Sequence, residues 1–417
     1  MALSKGDLSD RSFKLGTFFK PASPINKESL FSGRLSQTRD VIDAINQQGQ
    51  HAVLYGDRGV GKTSLANMIL PKLHCPGIPK VAPLVNCMTE DRYPSIWKRV
   101  FESIQFACDK NSIPLPDPTA EEILRQYTGP MASEISPDEV WRLLWELGQQ
   151  ALVVIILDEF DTLADPIAQE MMSDTIKFFS DRAVPATLVL IGVSDDVENL
   201  ISNHRSVERC LSQIHMPRMK IGELESIVTN GLAGVEMTIE EDALHEISRL
   251  SRGLPHYPHL LGLYAGRAAL DSGRTTVLID DVQSAMKSAV EKTQATIQAD
   301  YSKAVTSSRK EAQYAEVLLA CAMVETDGLG WFYPRDVREP LSKILKKPCK
   351  IEAFARHLHS FCELNRGPVL RRDDESARPR YRFINPLIQP YILMRGLAEG
   401  RINKSDLKPS EQDDMLF

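Results

Sequence analysis

What the chain lacks narrows its function before any motif is considered. Its seven cysteines stand singly, with no Cys-x-x-Cys pair and no metal-ligand spacing, which excludes a zinc module and a disulfide-built scaffold. Isolated thiols in odd number fit a reducing compartment, so a cytoplasmic protein is expected, with the cysteines as packing residues. Apolar runs such as Ala151 to Leu157 stop far short of the roughly 20 residues of a membrane helix, and no membrane contact is expected. Met1 to Asp7 has no apolar core of a secretory leader. Internal repeats and low-complexity tracts are absent, and so are nuclease, protease and cyclase motifs, so any effector activity sits on another chain. Positive charge is scarce as well: 49 Lys and Arg against 56 Asp and Glu give a net charge of −7, which argues against a general nucleic-acid binder. The deficit is uneven. Between Arg335 and Lys408 there are 17 basic residues against 9 acidic ones, which points to an acidic partner for the C-terminal third.

What the chain has is a complete phosphate loop. Gly56-Asp57-Arg58-Gly59-Val60-Gly61-Lys62-Thr63 matches Gly-x-x-x-x-Gly-Lys-Ser/Thr throughout. It is preceded by the apolar run His51–Tyr55 and followed, from Thr63, by a helical stretch, the context this loop requires. Glycines let successive backbone N–H groups turn toward phosphate oxygens, and the following helix points its positive end at the same anion. Lys62 is expected to reach the β- and γ-phosphates of ATP, and Thr63 to hold Mg²⁺ through its hydroxyl. The eight loop residues and Ser64 are the expected nucleotide contacts.

A second signal is the aliphatic strand Leu152–Leu157 followed by Asp158-Glu159-Phe160-Asp161. A buried strand ending in acids places carboxylates at its carboxyl edge, where ligands bind in open α/β sheets. Asp158 is expected to support Mg²⁺, and Glu159 to orient or activate the attacking water. Another all-apolar strand, Thr187–Val193, ends in Ser194, which either touches the γ-phosphate or caps a turn.

The order of these motifs resembles an AAA+ ATPase, in the branch shared by origin-recognition ATPases and STAND-type signalling ATPases. The resemblance runs over roughly Leu30 to Lys292 and more loosely to Asn385. Leu30-Phe31-Ser32-Gly33-Arg34 is similar to the family's Phe-x-Gly-Arg box near the adenine. The resemblance implies that Ser194 is sensor 1. It also implies that Arg209, with Arg205 in reserve, is an arginine finger at a subunit boundary, against the alternative of a surface arginine. Such a role would require a homo-oligomer, and the sequence leaves the oligomeric state open. Gly253-Leu254-Pro255-His256 departs from the lid arginine of many AAA+ proteins and is similar to the Gly-x-Pro element of STAND-type ATPases. Pro255 and His256 are therefore expected to meet the nucleotide, unless His256 is only a satisfied lid histidine. Arg267 is a candidate to replace the missing arginine.

The length predicts two to three domains. The expected fold class is α/β: a P-loop NTPase parallel sheet, a helical lid and a C-terminal winged-helix module. Residues 1–29 are expected as an extended lead-in, 30–220 as the ATPase domain, 221–292 as the lid, 310–395 as the winged helix and 396–417 as a tail. A loop-rich insertion is expected over Asp117 to Ser136. The winged helix is read from three helical stretches followed by Val369–Arg372, a polar turn and Tyr381–Phe383. The expected function is slow, partner-dependent ATP hydrolysis used as a switch on a protein partner. The alternative is DNA binding, with Arg371, Arg372, Arg378, Arg380 and Arg382 meeting phosphates as in an origin-recognition or transposition-helper protein.

Overall fold

The computed structural model describes residues 5–111, 135–193, 205–307, 312–374 and 378–407. Most of the expected insertion over Asp117 to Ser136 lies outside them.

The lead-in is not extended. Helix α1 (Lys5–Phe18) occupies it, and Leu15 and Phe19 are fully buried against the helical lid. The lid receives them because it is notched with glycine. A Cβ on Gly231 or Gly262 would stand 2.5 Å from the Phe19 ring, and one on Gly266 3.1 Å from Leu15. Arg11 then ties the helix to the Val235 carbonyl and to Glu236. Prolines and serines after residue 20 mask this helix in the sequence, and its few apolar residues acquire a face only because the lid supplies the other half.

The nucleotide-type fold follows: α2 (Leu35–Asn46), β1 (His51–Tyr55), α3 (Lys62–Lys72), β2 (Lys80–Val81), β3 (Leu84–Asn86), α4 (Tyr93–Asn111), α5 (Pro137–Gly148), β4 (Leu152–Asp158), α6 (Pro166–Asp181), β5 (Ala186–Gly192), α7 (Arg205–Glu208) and β6 (Leu211–His215). Helix α5 opens on a capping box, with the Ser136 side chain accepting from the Glu139 N–H and Glu139 accepting from the Ser136 N–H. Strands β2 and β3 are both short and both paired with β4. Pro83 lies between them and keeps only its carbonyl in the ladder, accepting from Ile156 N.

All strand pairs in this sheet are parallel, in the order β2–β4–β5–β1–β6 with β3 also on β4. Strands β4 and β5 are buried along nearly their whole length, as a sheet covered by helices on both faces requires. Tyr55 pairs with Gly192, and Leu157 with Leu190. The loops after β1, β4 and β5 therefore open side by side at one edge, the edge at which such sheets bind ligands.

Helices α8 (Ile221–Ala233), α9 (Glu241–Ser251), α10 (His256–Asp271) and α11 (Ile279–Glu291) form the lid. A short parallel pair, β7 (Thr238–Ile239) and β8 (Thr276–Val277), joins them. Helix α12 (Ala295–Val305) leads into α13 (Tyr314–Met323), α14 (Pro334–Leu345), α15 (Ile351–Ser360), the antiparallel hairpin β9 (Leu370–Asp373) and β10 (Arg380–Phe383), and α16 (Ile388–Ala398). Phe332 adds an antiparallel bridge to Tyr381 beside the hairpin. The expected tail begins as part of this body: Ile402 and Leu407 are buried, and Lys404 O accepts from Arg249. No helix among the described residues is long and apolar enough to cross a membrane.

Candidate functional site

A cleft of about 360 Å³ opens at the carboxyl edge of the sheet, between the Gly-rich loop and the lid. That volume lies at the lower end of the roughly 300–1,000 Å³ typical of small-molecule sites. Arg58 through Ser64 form its floor, Asp158, Glu159 and Asp161 one side, and Pro255 and His256 the lid side.

The loop's glycines answer two geometric demands. Gly56 has φ 143°, and a Cβ there would stand 2.4 Å from the Met216 carbonyl oxygen. Gly61 has φ 96° and caps α3 in the left-handed region, where a side chain is strained. Lys62 is buried and donates from Nζ to the Gly56 and Asp57 carbonyls, both at 2.9 Å. Burial pushes its ammonium down to about 8, against the opposing pull of Asp57, Asp161 and Asp158. Thr63 Oγ1 donates to Asp158 Oδ2 at 2.6 Å, and Glu159 N donates to Asp158 Oδ1 at 2.8 Å. Both carboxylate oxygens of Asp158 are thus oriented by the loop and by its own chain. Glu159 follows with φ 54°, a left-handed non-glycine residue with an exposed side chain. Such conformations cost roughly 1–3 kcal/mol and persist where the surroundings impose them. Asp161 Oδ1 accepts from Val193 N at 2.9 Å and so ties the ends of β4 and β5 together.

A hydroxyl and a carboxylate in contact are the hard oxygen donors that Mg²⁺ takes from a protein when phosphates and water complete its shell. Among the described residues no group of three or more His, Cys, Asp or Glu gathers into a metal cage. The donor set at Thr63 and Asp158 fits Mg²⁺ carried in with a polyphosphate.

Other expected site residues fall in different places. Ser194 and the Arg205 side chain lie outside the described residues. Pro255 stands over the loop, its Cγ 3.7 Å from a Cβ position on Gly61. His256 Nδ1 bonds the Pro21 carbonyl at 2.8 Å, and burial lowers its pKa, so the ring donates while neutral. Arg209 is exposed and paired with Asp181 at 3.0 Å. It precedes β6, whose first residue is in register with His51 at the start of β1, so the length of the sheet separates it from its own loop. Arg267 does not line the cleft and stands near Gly16 of α1.

Asp57 does not line the cleft. Its side chain is turned away from the cleft, buried against Arg218 at 3.4 Å, with Oδ1 accepting from Arg58 N. Burial raises its pKa, and Arg218 opposes that rise. Gly56 lines no part of the cleft either, because the close approach of Met216 occupies its free face.

Several cleft residues carry no motif. Lys20 to Ile25 form a wall, held by Ile25 N donating to Ser64 Oγ and by Asn67 donating to the Ile25 carbonyl. His259, which burial holds down at about 4, accepts from Lys20 N. Arg34 is buried and donates to the Val60 carbonyl at 2.8 Å, while its own N–H meets Glu223 of the lid at 2.7 Å. From the C-terminal body, Leu387 reaches the cleft and stands 3.5 Å from a Cβ position on Gly59. Leu30, Phe31, Ser32 and Arg34 belong to the box singled out in the sequence and also line the cleft. Lys20 to Ile25 follow the docking of α1, and Leu387 comes in with α16.

The comparisons agree with this architecture. Residues 45–201 match the protein family described as "AAA domain". Among similar solved structures is the Walker-type ATPase PABY2304 of Pyrococcus abyssi, at TM-score 0.56 and 16% identity, covering 89% of this chain and 98% of that one. Another is the Aeropyrum pernix ORC2 protein in ADPNP–ADP complexes, at TM-score 0.49 and 16% identity over 90% and 96%. A third is the Aeropyrum pernix ORC1 protein in complex with DNA, at TM-score 0.44 and 17% identity over 89% and 94%. No curated protein matches the chain in sequence. The fold is that of a P-loop NTPase.

Proposed function

We propose that the chain binds ATP with Mg²⁺ in this cleft, hydrolyses it, and uses the cycle to reposition its C-terminal body. The observation that carries the chemistry is the contact of Thr63 with Asp158 at 2.6 Å beside the buried ammonium of Lys62. In this reading Lys62 leaves the Gly56 and Asp57 carbonyls for the β- and γ-phosphates. Thr63 and Asp158 would hold Mg²⁺, and the ion would supply charge neutralisation at the phosphates. Glu159, exposed at the cleft rim, orients the attacking water and accepts its proton. Ser194 is the candidate sensor, and Arg209, remote from its own loop, serves only a neighbouring copy. Glu159→Gln tests the assignment. It is expected to keep ATP bound and to slow phosphate release by roughly 10²–10⁴-fold, and wild-type turnover in that variant overturns the role.

The switch reading rests on the contact between the loop and the C-terminal body. Asp57 of the loop pairs with Arg218, and Arg218 Nη1 donates to Gln389 Oε1 of α16 at 2.8 Å. Leu387 lies on the cleft itself, and its carbonyl accepts from Tyr257 of the lid. A change at the phosphates is thus two side chains away from α16.

For the output we infer DNA ahead of a protein partner, with the C-terminal body acting as a winged helix. Arg338, Lys346, Lys347, Lys350 and Arg356, on α14, α15 and the turn between them, are exposed and make no ion pair among the described residues. The hairpin arginines offer less. Arg372 pairs with Asp374, Arg380 pairs with Asp373, and Arg380 and Arg382 cover Trp331. Arg371 and Arg378 remain exposed. Binding to labelled duplex across a salt series tests this reading, and affinity that ignores salt overturns it in favour of a protein partner.

A further inference from the structure

Lys20, Arg34, Arg58 and Lys62 are the Lys and Arg side chains that line the cleft at the Gly-rich loop. Their states differ. Arg34 is buried and donates to the Val60 carbonyl, and Lys62 is buried and donates to the Gly56 and Asp57 carbonyls. Lys20 belongs to the wall, with its own N–H on His259 of the lid. Arg58 stands on the loop itself and is exposed, and its side chain makes no hydrogen bond or ion pair among the described residues.

The backbone of Arg58 is committed elsewhere. Its N–H donates to Asp57 Oδ1 at 2.9 Å, and Asp57 is held in turn by Arg218 at 3.4 Å. A loop N–H that already has an acceptor is not free to cradle a phosphate oxygen. What this residue adds for an anion therefore comes from its guanidinium. Burial comes first in lowering the Lys62 ammonium, and the charge of Arg58 lowers it further, which places the two cations within each other's field. Asp57, Asp161 and Asp158 pull Lys62 the other way. Each of those carboxylates has a partner of its own, in Arg218, the Val193 N–H and Thr63. A lysine point charge and an accessible planar fork at one loop are complementary donors for a terminal phosphate.

We propose that Arg58 holds the γ-phosphate of ATP from within its own chain and is the side chain by which this cleft tells ATP from ADP. The proposal rests on the reading of the cleft as an ATP site. In hydrolysis the water oxygen bonds to the γ-phosphorus while the bond to the β,γ-bridging oxygen breaks. The proton passes to Glu159 and the electron pair leaves with ADP. Arg58 exchanges no proton; it neutralises charge on the terminal oxygens and loses its contact when phosphate departs.

The test is calorimetry with Mg·ATP and Mg·ADP, together with phosphate release, on the full chain carrying Arg58→Ala. The variant is expected to bind ATP roughly tenfold or more weakly, and ADP within about threefold of the unsubstituted chain. Turnover at saturating ATP should fall by roughly tenfold or more. Arg58→Lys, which keeps the charge but not the fork, should recover part of the preference for ATP. Because the side chain has no partner in the fold, the unfolding midpoint without nucleotide should not move, which separates a ligand contact from a structural role. Adding Lys62→Ala chains, which keep Arg58, should restore no turnover; restoration would put Arg58 on a neighbour's nucleotide and overturn the contact within one chain. Equal loss of ATP and ADP binding, or affinities and turnover like those of the unsubstituted chain, overturns the proposal and leaves the ATP reading standing. Failure of the unsubstituted chain to bind ATP overturns both. If Arg58→Ala does not fold, Arg58→Gln is read in the same way.

Discussion

The cleft at the Gly-rich loop and the C-terminal body were both announced in the sequence by short runs of residues, yet the two runs kept their meaning to different degrees. At the phosphate loop, Lys62, Thr63 and Asp158 stand together as their motifs predict. At the hairpin, Arg372 pairs with Asp374 two residues on and Arg380 with Asp373 across the two strands, and exposed basic side chains stand on α14 and α15 instead. The difference is one of mechanism. A Gly-x-x-x-x-Gly-Lys-Thr loop acts through its own backbone and the helix it opens, so its geometry travels with the sequence. An arginine acts through its far end, and whichever carboxylate lies nearest decides what charge is left.

The contrast can be broken most sharply at Lys62. Lys62→Ala removes a charge-assisted contact to two phosphates and is expected to weaken ATP by roughly 100-fold or more, read by calorimetry on a variant shown to be folded. Unchanged affinity would mean that this loop, too, depends on its context. On the C-terminal body, replacing Lys346, Lys347 and Lys350 by Ala together should lower the salt slope of duplex binding by about 3 units. An unchanged slope would return the free charge to the hairpin.

The pH dependence of ATP affinity gives a third, intermediate effect. Burial holds Lys62 at about 8, and only the protonated form attracts phosphate. Affinity should be level below that value and fall by about tenfold per unit above it, and a flat profile to pH 9.5 would contradict the assignment. The smallest effect is expected for Arg372→Ala with Arg380→Ala. Since both side chains are already paired, the salt slope should change by less than about 1 unit. A larger drop would show that the aspartate pairs open for DNA.

Legibility in the sequence followed the same division. The parallel sheet was readable because β4 and β5 are aliphatic throughout, and a strand covered on both faces tolerates little else. The loop, Asp158 and Glu159 were readable because spacing alone carries their geometry. The wall at Lys20 to Ile25 was not, since it owes its position to α1 docking into glycine notches of a lid more than two hundred residues away. Nor was the pairing of the Asp57 side chain away from the cleft, because Arg218, itself held by Gln389 of α16, reaches it from another part of the fold.

Local sequence by itself therefore determined the covered sheet, the phosphate cradle and the acids at its edge, all set by backbone conformation and strand period within short stretches of chain. Tertiary structure alone decided which side chains face that cradle and which arginines stay charged toward solvent. Those outcomes depend on pairing between residues far apart in sequence, and the energy of a buried charge is fixed by its neighbours rather than by its own identity.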